Sequence, residues 1–138
     1  MSTPFSAAGA EIRTVVEQLR TAWTDYPLLV EYDNKDTINL AEQTDPFLCV
    51  SIINLAGGQL DLGAAPRTRQ WGQIQLAVAV KKGQGVADLE ELMDFLAPYF
   101  SMKDFATVRC QAFSVQKDRP EKEWLYRPAI IPFSYIWE

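Results

Sequence analysis

The sequence contains no histidine among its 138 residues. Histidine is the usual general base, the usual triad partner and the commonest metal ligand, so most hydrolases and metalloenzymes are disfavoured. The chain also has no Gly-Lys pair for a phosphate loop and no GxSxG segment for a serine nucleophile. Asp88, Glu91 and Asp94 share helical spacing, which is more typical of a solvated helix face than of a catalytic site. We therefore predict a protein that is not an enzyme and that needs no cofactor and no metal.

Long apolar runs are also lacking. No window approaches the roughly 18 apolar residues of a membrane-spanning helix, and residues 1–9 lack the basic and apolar regions of a signal peptide. The two cysteines, Cys49 and Cys110, fall in apolar runs predicted to be strands, at a spacing that fits no metal motif. We expect a reduced protein, although the sequence leaves a disulfide between the two cysteines open.

Basic residues are scarce in the first half of the chain. Residues 1–66 hold three basic and nine acidic side chains, a balance of −6, whereas residues 67–138 hold ten basic and nine acidic, a balance of +1. A net charge of −5 disfavours binding to duplex DNA. The acidic stretch 25–45 is interpreted either as a solvated loop or as a negatively charged surface that faces a lumen, a tube or a basic partner. The candidate residues of that surface are Asp33, Asp36, Glu42 and Asp45.

Hydrophobic periodicity predicts two helices, at residues 7–23 and 86–97. It predicts strands at residues 28–32, 47–55, 69–81 and 107–117. The last segment, 124–137, contains Pro128 and Pro132 and is predicted to be a broken edge strand. The order indicates one α+β domain over residues 1–138. We expect a mixed or mainly antiparallel sheet of about four to five strands, with two helices packed on one face.

Apolar strand surface exceeds what two helices can cover. The strand at 47–55 is apolar on both faces, and the C-terminal segment is rich in aromatic residues. These side chains either complete the core of one monomer or form a contact with another subunit or partner. The candidate interface residues are Trp124, Tyr126, Ile131, Phe133, Tyr135, Trp137, Arg67 and Arg69.

Several segments together resemble a known family. They are the run RQWGQI at residues 69–74 with the strand that follows it, the turn KGQG at 82–85, the helix at 89–100, and the WLY and IPF segments of the C-terminal strand. In these features the chain resembles the tailed-phage tail terminator, or tail completion, family, which includes the lambda minor tail protein U.

The resemblance implies a structural virion protein. Members of this family form a hexameric ring that caps the tail tube, stops its polymerisation and offers a joining surface to the head connector. The implied partners are further copies of the chain, the tail tube protein and the head–tail connector protein, while DNA passes through without specific binding and no membrane is involved. The implied location is the virion tail, and the host cytoplasm during assembly.

Two other functions stay open from the residues alone. Another phage neck or head–tail joining protein would share the same assembly logic. A small-ligand-binding regulatory α+β domain would instead present a ligand-sized pocket.

Overall fold

The computed structural model describes residues 4–32, 42–59, 68–83, 87–105 and 108–137. They form a single α+β domain, which confirms the predicted fold class. The elements in chain order are α1 (Pro4–Ala22), β1 (Val30–Tyr32), β2 (Phe47–Gln59), β3 (Thr68–Lys81), α2 (Ala87–Phe100), β4 (Asp104–Phe105), β5 (Val108–Cys110), β6 (Ser114–Val115), β7 (Arg119–Glu121) and β8 (Trp124–Trp137).

Both helices lie where the periodicity predicts them. Helix α1 buries Ala8, Ile12, Val16 and Leu19, which recur every three or four residues along one side. Helix α2 buries a comparable stripe: Leu89, Leu92, Met93, Leu96 and Phe100. Each helix therefore turns one apolar side toward the sheet and leaves its charged side in solvent.

Helix α2 extends three residues beyond the predicted end, through Pro98. A proline in the last turn removes only one backbone hydrogen bond, and burial of Phe100 on the core side offsets this loss. The chain then leaves the helix at Met102, which has a positive φ of 56°. A left-handed residue of this kind is a common way to end a helix.

The sheet has eight strands in the described part of the chain, more than the four to five predicted. Its order is β1-β2-β3-β8-β5-β4, and β6 and β7 also pair with β8. Strand β1 runs parallel to β2, and the other pairs are antiparallel. The excess consists of strands of two or three residues, which carry too few residues to show a periodic pattern.

The prediction of a broken edge strand at the C-terminus was wrong. Strand β8 is continuous over 14 residues and central, with β3 on one side and β5, β6 and β7 on the other. The carbonyl oxygens of Pro128 and Pro132 accept hydrogen bonds from the backbone N–H groups of Gln116 and Gln111, at 2.8 Å each. Because N and O of one residue point to the same side of an antiparallel strand, neither proline nitrogen faces β3. The ladder with β3 is therefore intact.

The single strand predicted at 107–117 is also wrong. It is divided into β5 and β6, and residues 111–113 between them belong to neither strand. The N–H of Phe113 donates to the Ser101 side chain at 3.2 Å instead of to a neighbouring strand. Residues 111–113 and 116–118 connect the short strands on this side of β8 and belong to no strand. The two proline nitrogens face these connecting segments, so no strand pairing is lost there.

The main core lies between the helices and one face of the sheet. It joins the apolar stripes of α1 and α2 to alternate residues of β2, β3 and β8, among them Leu48, Leu76 and Ile131. A second, smaller cluster lies on the opposite face, where Phe47, Ala79 and Trp124 are buried. Both helices thus pack on one face, as predicted.

Candidate assembly surfaces

The sheet face that points away from the helices is here called the open face. In the register of β2, β3 and β8, it alternates with the residues of the main core. Near the start of β2 it is closed by the small cluster, in which the Phe47 ring meets Trp124 edge-on at 5.0 Å. Toward the other end, the side chains are only partly covered by the described residues. The partly covered or exposed side chains there are Ile53, Trp71, Gln73, Pro132 and Ile136.

Arginine side chains stand at the far end of the open face, in a group here called the arginine patch (Arg69, Trp71 and Arg109). The Arg69 guanidinium lies over the Trp71 ring at 5.7 Å, a cation–π contact. Its Nε atom is buried without a hydrogen-bond partner among the described residues. Ser134 of β8 lies between Trp71 of β3 and Arg109 of β5, so the three residues share one row of the sheet. The Arg109 Nε atom is 3.9 Å from the exposed carboxylate of Asp104. That separation and exposure make the ion pair weak, so Arg109 can pair with another anionic group.

Strand β2 has an outer edge next to the open face. Strand β1 pairs with β2 only from Leu48 to Val50, and no described strand continues this pairing. A bulge between Asn54 and Ala56 interrupts the register with β3, and Leu55 beside it is 56% exposed. Bulges of this kind twist an edge away from uncontrolled pairing.

The opposite end of the molecule carries an acidic–aromatic cluster, defined by Asp25, Tyr26, Asp45, Asp88 and Glu91. Burial raises the pKa of Tyr26, and the four nearby carboxylates raise it further. The Tyr26 hydroxyl is buried without a hydrogen-bond partner in the residues described. Its ring packs edge-on against Trp23 at 5.5 Å, and Trp23 in turn meets Phe95 of α2 at 4.9 Å. The cluster therefore joins the end of α1, the start of β2 and the first turns of α2.

Repulsion between the carboxylates of this cluster raises the pKa of Glu91. The neighbouring Asp25 carboxylate is the main cause that raises the pKa of Glu91, and Asp88 adds to it. The raised value means that the folded chain holds this proton more tightly than the unfolded chain. Stability linked to Glu91 is therefore full at acidic pH and is lost as the pH rises through the folded pKa.

Replacing Glu91 with glutamine is expected to raise the melting temperature slightly at neutral pH, because one carboxylate of the cluster is removed. The difference from the parent chain should shrink as the pH falls below the pKa of Glu91. Thermal melts across this range measure it, with Glu90→Gln on the same exposed helix surface as the matched control. Equal melting temperatures at neutral pH would contradict the repulsion.

The structure places four of the eight predicted interface residues inside the chain. Trp124, Ile131, Phe133 and Tyr135 have at most 4% of their surface exposed, so in the single chain they fill the two cores. Tyr126 is half-buried against Phe47. Arg69 belongs to the arginine patch, Arg67 lies outside the described residues, and Trp137 is described only by its backbone in β8. The part of β8 that does reach the surface is Ile136, 42% exposed.

The predicted acidic surface is only partly described. Asp33 and Asp36 lie outside the described residues, Glu42 is exposed, and Asp45 is half-buried beside the start of β2. Sequence reasoning missed that Asp88 and Glu91 join Asp25 and Asp45. These residues are distant in sequence, and no local pattern brings the end of α1 to the start of α2.

Other chemistry is sparse in the described residues. Cys49 and Cys110 lie on opposite faces of the sheet and are not joined by a disulfide, and burial raises the pKa of Cys110 to about 12. The described part of the chain contains no group of three or more potential metal ligands. None of its helices has the length and hydropathy needed to span a bilayer.

Comparison with known proteins supports the fold and gives no information on the function. No family model and no curated protein matches the chain. A solved structure whose name is a bare identifier matches with a TM-score of 0.74 and 16% identity, over 97% of this chain and 96% of its own. It is one of 21 matching chains of solved structures. The same arrangement of elements therefore occurs in that protein over nearly the full length of both chains.

Proposed function

We propose that this chain is a structural subunit of a phage tail. Copies of it form a ring on the end of the tail tube, stop tube polymerisation and present a joining surface to the head connector. The observation that carries the proposal is the open face, where the described residues cover Ile53, Trp71 and Ile136 only in part. Beside it lies the edge of β2, which no described strand pairs beyond Val50. Such a surface suits a protein whose work is contact with other proteins.

Two further features support this function. The chain has no histidine, and its described residues form no metal-ligand group. The segments that resemble tail terminators also form parts of the open face and its surroundings, since residues 69–74 supply Arg69 and Trp71 and the IPF segment supplies Pro132. The resemblance and the surface therefore concern the same strands.

A neck or head–tail joining protein is the second candidate. It would use the same kind of surface but would bind the head instead of the tube. Co-sedimentation of the purified protein with tail tubes and, separately, with empty heads distinguishes the two. Termination predicts binding to tubes in the absence of heads, and binding to heads alone would favour the joining function.

A pair of matched variants tests the open face in the same assay. Ile136 on the open face and Val115 on β6 are both β-branched, and they are 42% and 50% exposed. Because surface substitutions change stability by only about 0.5 kcal/mol, both Ile136→Asn and Val115→Asn should fold. We expect Ile136→Asn to reduce tube binding at least about tenfold, as loss of about 1.4 kcal/mol of apolar contact would do, and Val115→Asn to bind normally. Equal binding by the two variants would remove the open face from the contact.

A further inference from the structure

The arginine patch and the acidic–aromatic cluster lie at opposite ends of the sheet. Asp45 stands two residues before Phe47, which pairs with Ala79 of β3, whereas Arg69 stands at the other end of β3. Ten residues of strand separate these rows, or about 33 Å at about 3.3 Å per residue. An arginine of the patch therefore cannot reach the acidic cluster of its own chain.

The two surfaces are complementary in charge and in chemistry. The cluster has four carboxylates around Tyr26, whose hydroxyl has no hydrogen-bond partner among the described residues, and repulsion from Asp25 raises the pKa of Glu91. The patch has two guanidinium groups. The Nε atom of Arg69 has no partner in the described part of the chain, and Arg109 has only a weak ion pair. Guanidinium groups form forked hydrogen bonds with carboxylates and also stack on aromatic rings, so a single arginine can satisfy both parts of the cluster.

We propose that the arginine patch of one copy docks on the acidic–aromatic cluster of a second copy, head to tail. A contact between two different surfaces of identical subunits leaves one of each surface free and closes into a ring when the rotation allows. The inference rests on the proposed function for that ring, and it identifies the surfaces that join neighbouring subunits.

Nucleic acid is the other occupant that an arginine beside a tryptophan can attract, through phosphate contacts and base stacking. The charges favour a second copy, because the chain as a whole carries a charge of −5 and supplies the complementary carboxylates itself. Self-association and binding of a single-stranded oligonucleotide are therefore measured side by side.

Charge reversal tests the contact in the full chain without tubes. Sedimentation velocity is measured from about 1 µM to 1 mM, which covers contacts of about 4–8 kcal/mol. We expect Arg69→Glu and Asp88→Lys each to raise the dissociation constant at least about 30-fold, the equivalent of about 2 kcal/mol for a broken charge pair. The combined variant should associate more tightly than either single variant, because it restores the pair with its signs exchanged. The controls Lys117→Glu and Glu121→Lys change exposed charges outside both surfaces and should associate normally.

Several results would overturn the inference. They are a parent chain that stays monomeric up to 1 mM, single variants that associate like the parent, and a combined variant no better than the singles. Loss of oligonucleotide binding in Arg69→Glu, with unchanged self-association, would assign the patch to nucleic acid. Circular dichroism of each variant confirms that it is folded. Tube capping by a chain whose self-association ignores these charges would leave the proposed function standing and remove only this contact.

Discussion

Replacing Phe133 with alanine should lower the free energy of unfolding by about 3–5 kcal/mol, the usual effect of removing a fully buried aromatic ring. Phe133 has none of its surface exposed and belongs to the main core. Its ring stacks on Tyr135 at 6.3 Å and crosses the backbone of Gly72 on β3. The loss follows because the cavity would lie against the backbone of β3 in a filled core, where the paired strands cannot shift to close it. Urea denaturation monitored by circular dichroism measures it.

Ile136→Ala is the matched control on the same strand. Ile136 is 42% exposed on the open face, so its truncation should change stability by less than about 1 kcal/mol. From the sequence alone, Phe133 is a candidate for a contact with another subunit. If Phe133→Ala kept the stability of the parent chain but lost self-association, that prediction would hold and the packing described for the core would be incorrect.

Replacing Gly72 with alanine should cost about 3 kcal/mol, which is at the upper end for overpacking a core. A Cβ atom on Gly72 would lie 2.4 Å from Cζ of Phe133 and 2.5 Å from the carbonyl oxygen of Ile53. Neither neighbour can move away easily. The Phe133 ring is enclosed by a filled core, and the Ile53 carbonyl is part of the β2 backbone next to the bulge. Glycine is therefore required at position 72 because the Phe133 ring and the Ile53 carbonyl approach its backbone closely. Chemical denaturation of the variant gives the loss.

Two comparisons separate the sources of that loss. Phe133→Leu should lower the free energy of unfolding less in the Gly72→Ala variant than in the parent chain, because it removes the clash with the ring. The clash with the Ile53 carbonyl remains in both Gly72→Ala variants. A Cβ atom on Gly83 would meet no atom of the described residues within 4 Å, but Gly83 has a φ of 94°. Gly83→Ala should cost only about 1 kcal/mol, through backbone strain. A Gly72→Ala variant as stable as the parent would show that the strands can separate there.

The fold class could be predicted because its main elements repeat over many residues. Residues Ile74, Leu76, Val78 and Val80 alternate along β3 and face the core, as the period of two requires. The stripe of α1 is equally regular. Strand β8 was misplaced at the edge because a proline in a sequence reveals nothing about the side to which its nitrogen points. That direction is set by pairing with β3, a contact between distant parts of the chain.

The surfaces were harder to predict than the elements. Aromatic residues in a terminal strand are equally consistent with a core and with an interface, and only the register of β8 shows that Phe133 and Tyr135 point inward whereas Ile136 points outward. Composition indicated an excess of carboxylates in the first half of the chain. It could not indicate that Asp25 and Glu91 would meet, because 65 residues separate them and a helix end brings them together.

The proposed ring would account for a sheet face that the described residues cover only in part. It would also account for oppositely charged surfaces at the two ends of the sheet. In a closed ring, each subunit would cover the arginine patch of one neighbour and the acidic–aromatic cluster of the other. The tube would then meet the part of the open face that the neighbouring subunit leaves free, and its growth would stop because the ring offers no further site for tube protein.

The most direct measurement is electron microscopy of tail tubes assembled from purified tube protein with and without this chain. We predict a ring-shaped density on one end of each tube and shorter tubes as the chain's concentration rises. The variant Ile136→Asn should leave the ends bare and the lengths unchanged. Bare ends and an unchanged length distribution with the folded parent chain would contradict the assignment to tail termination.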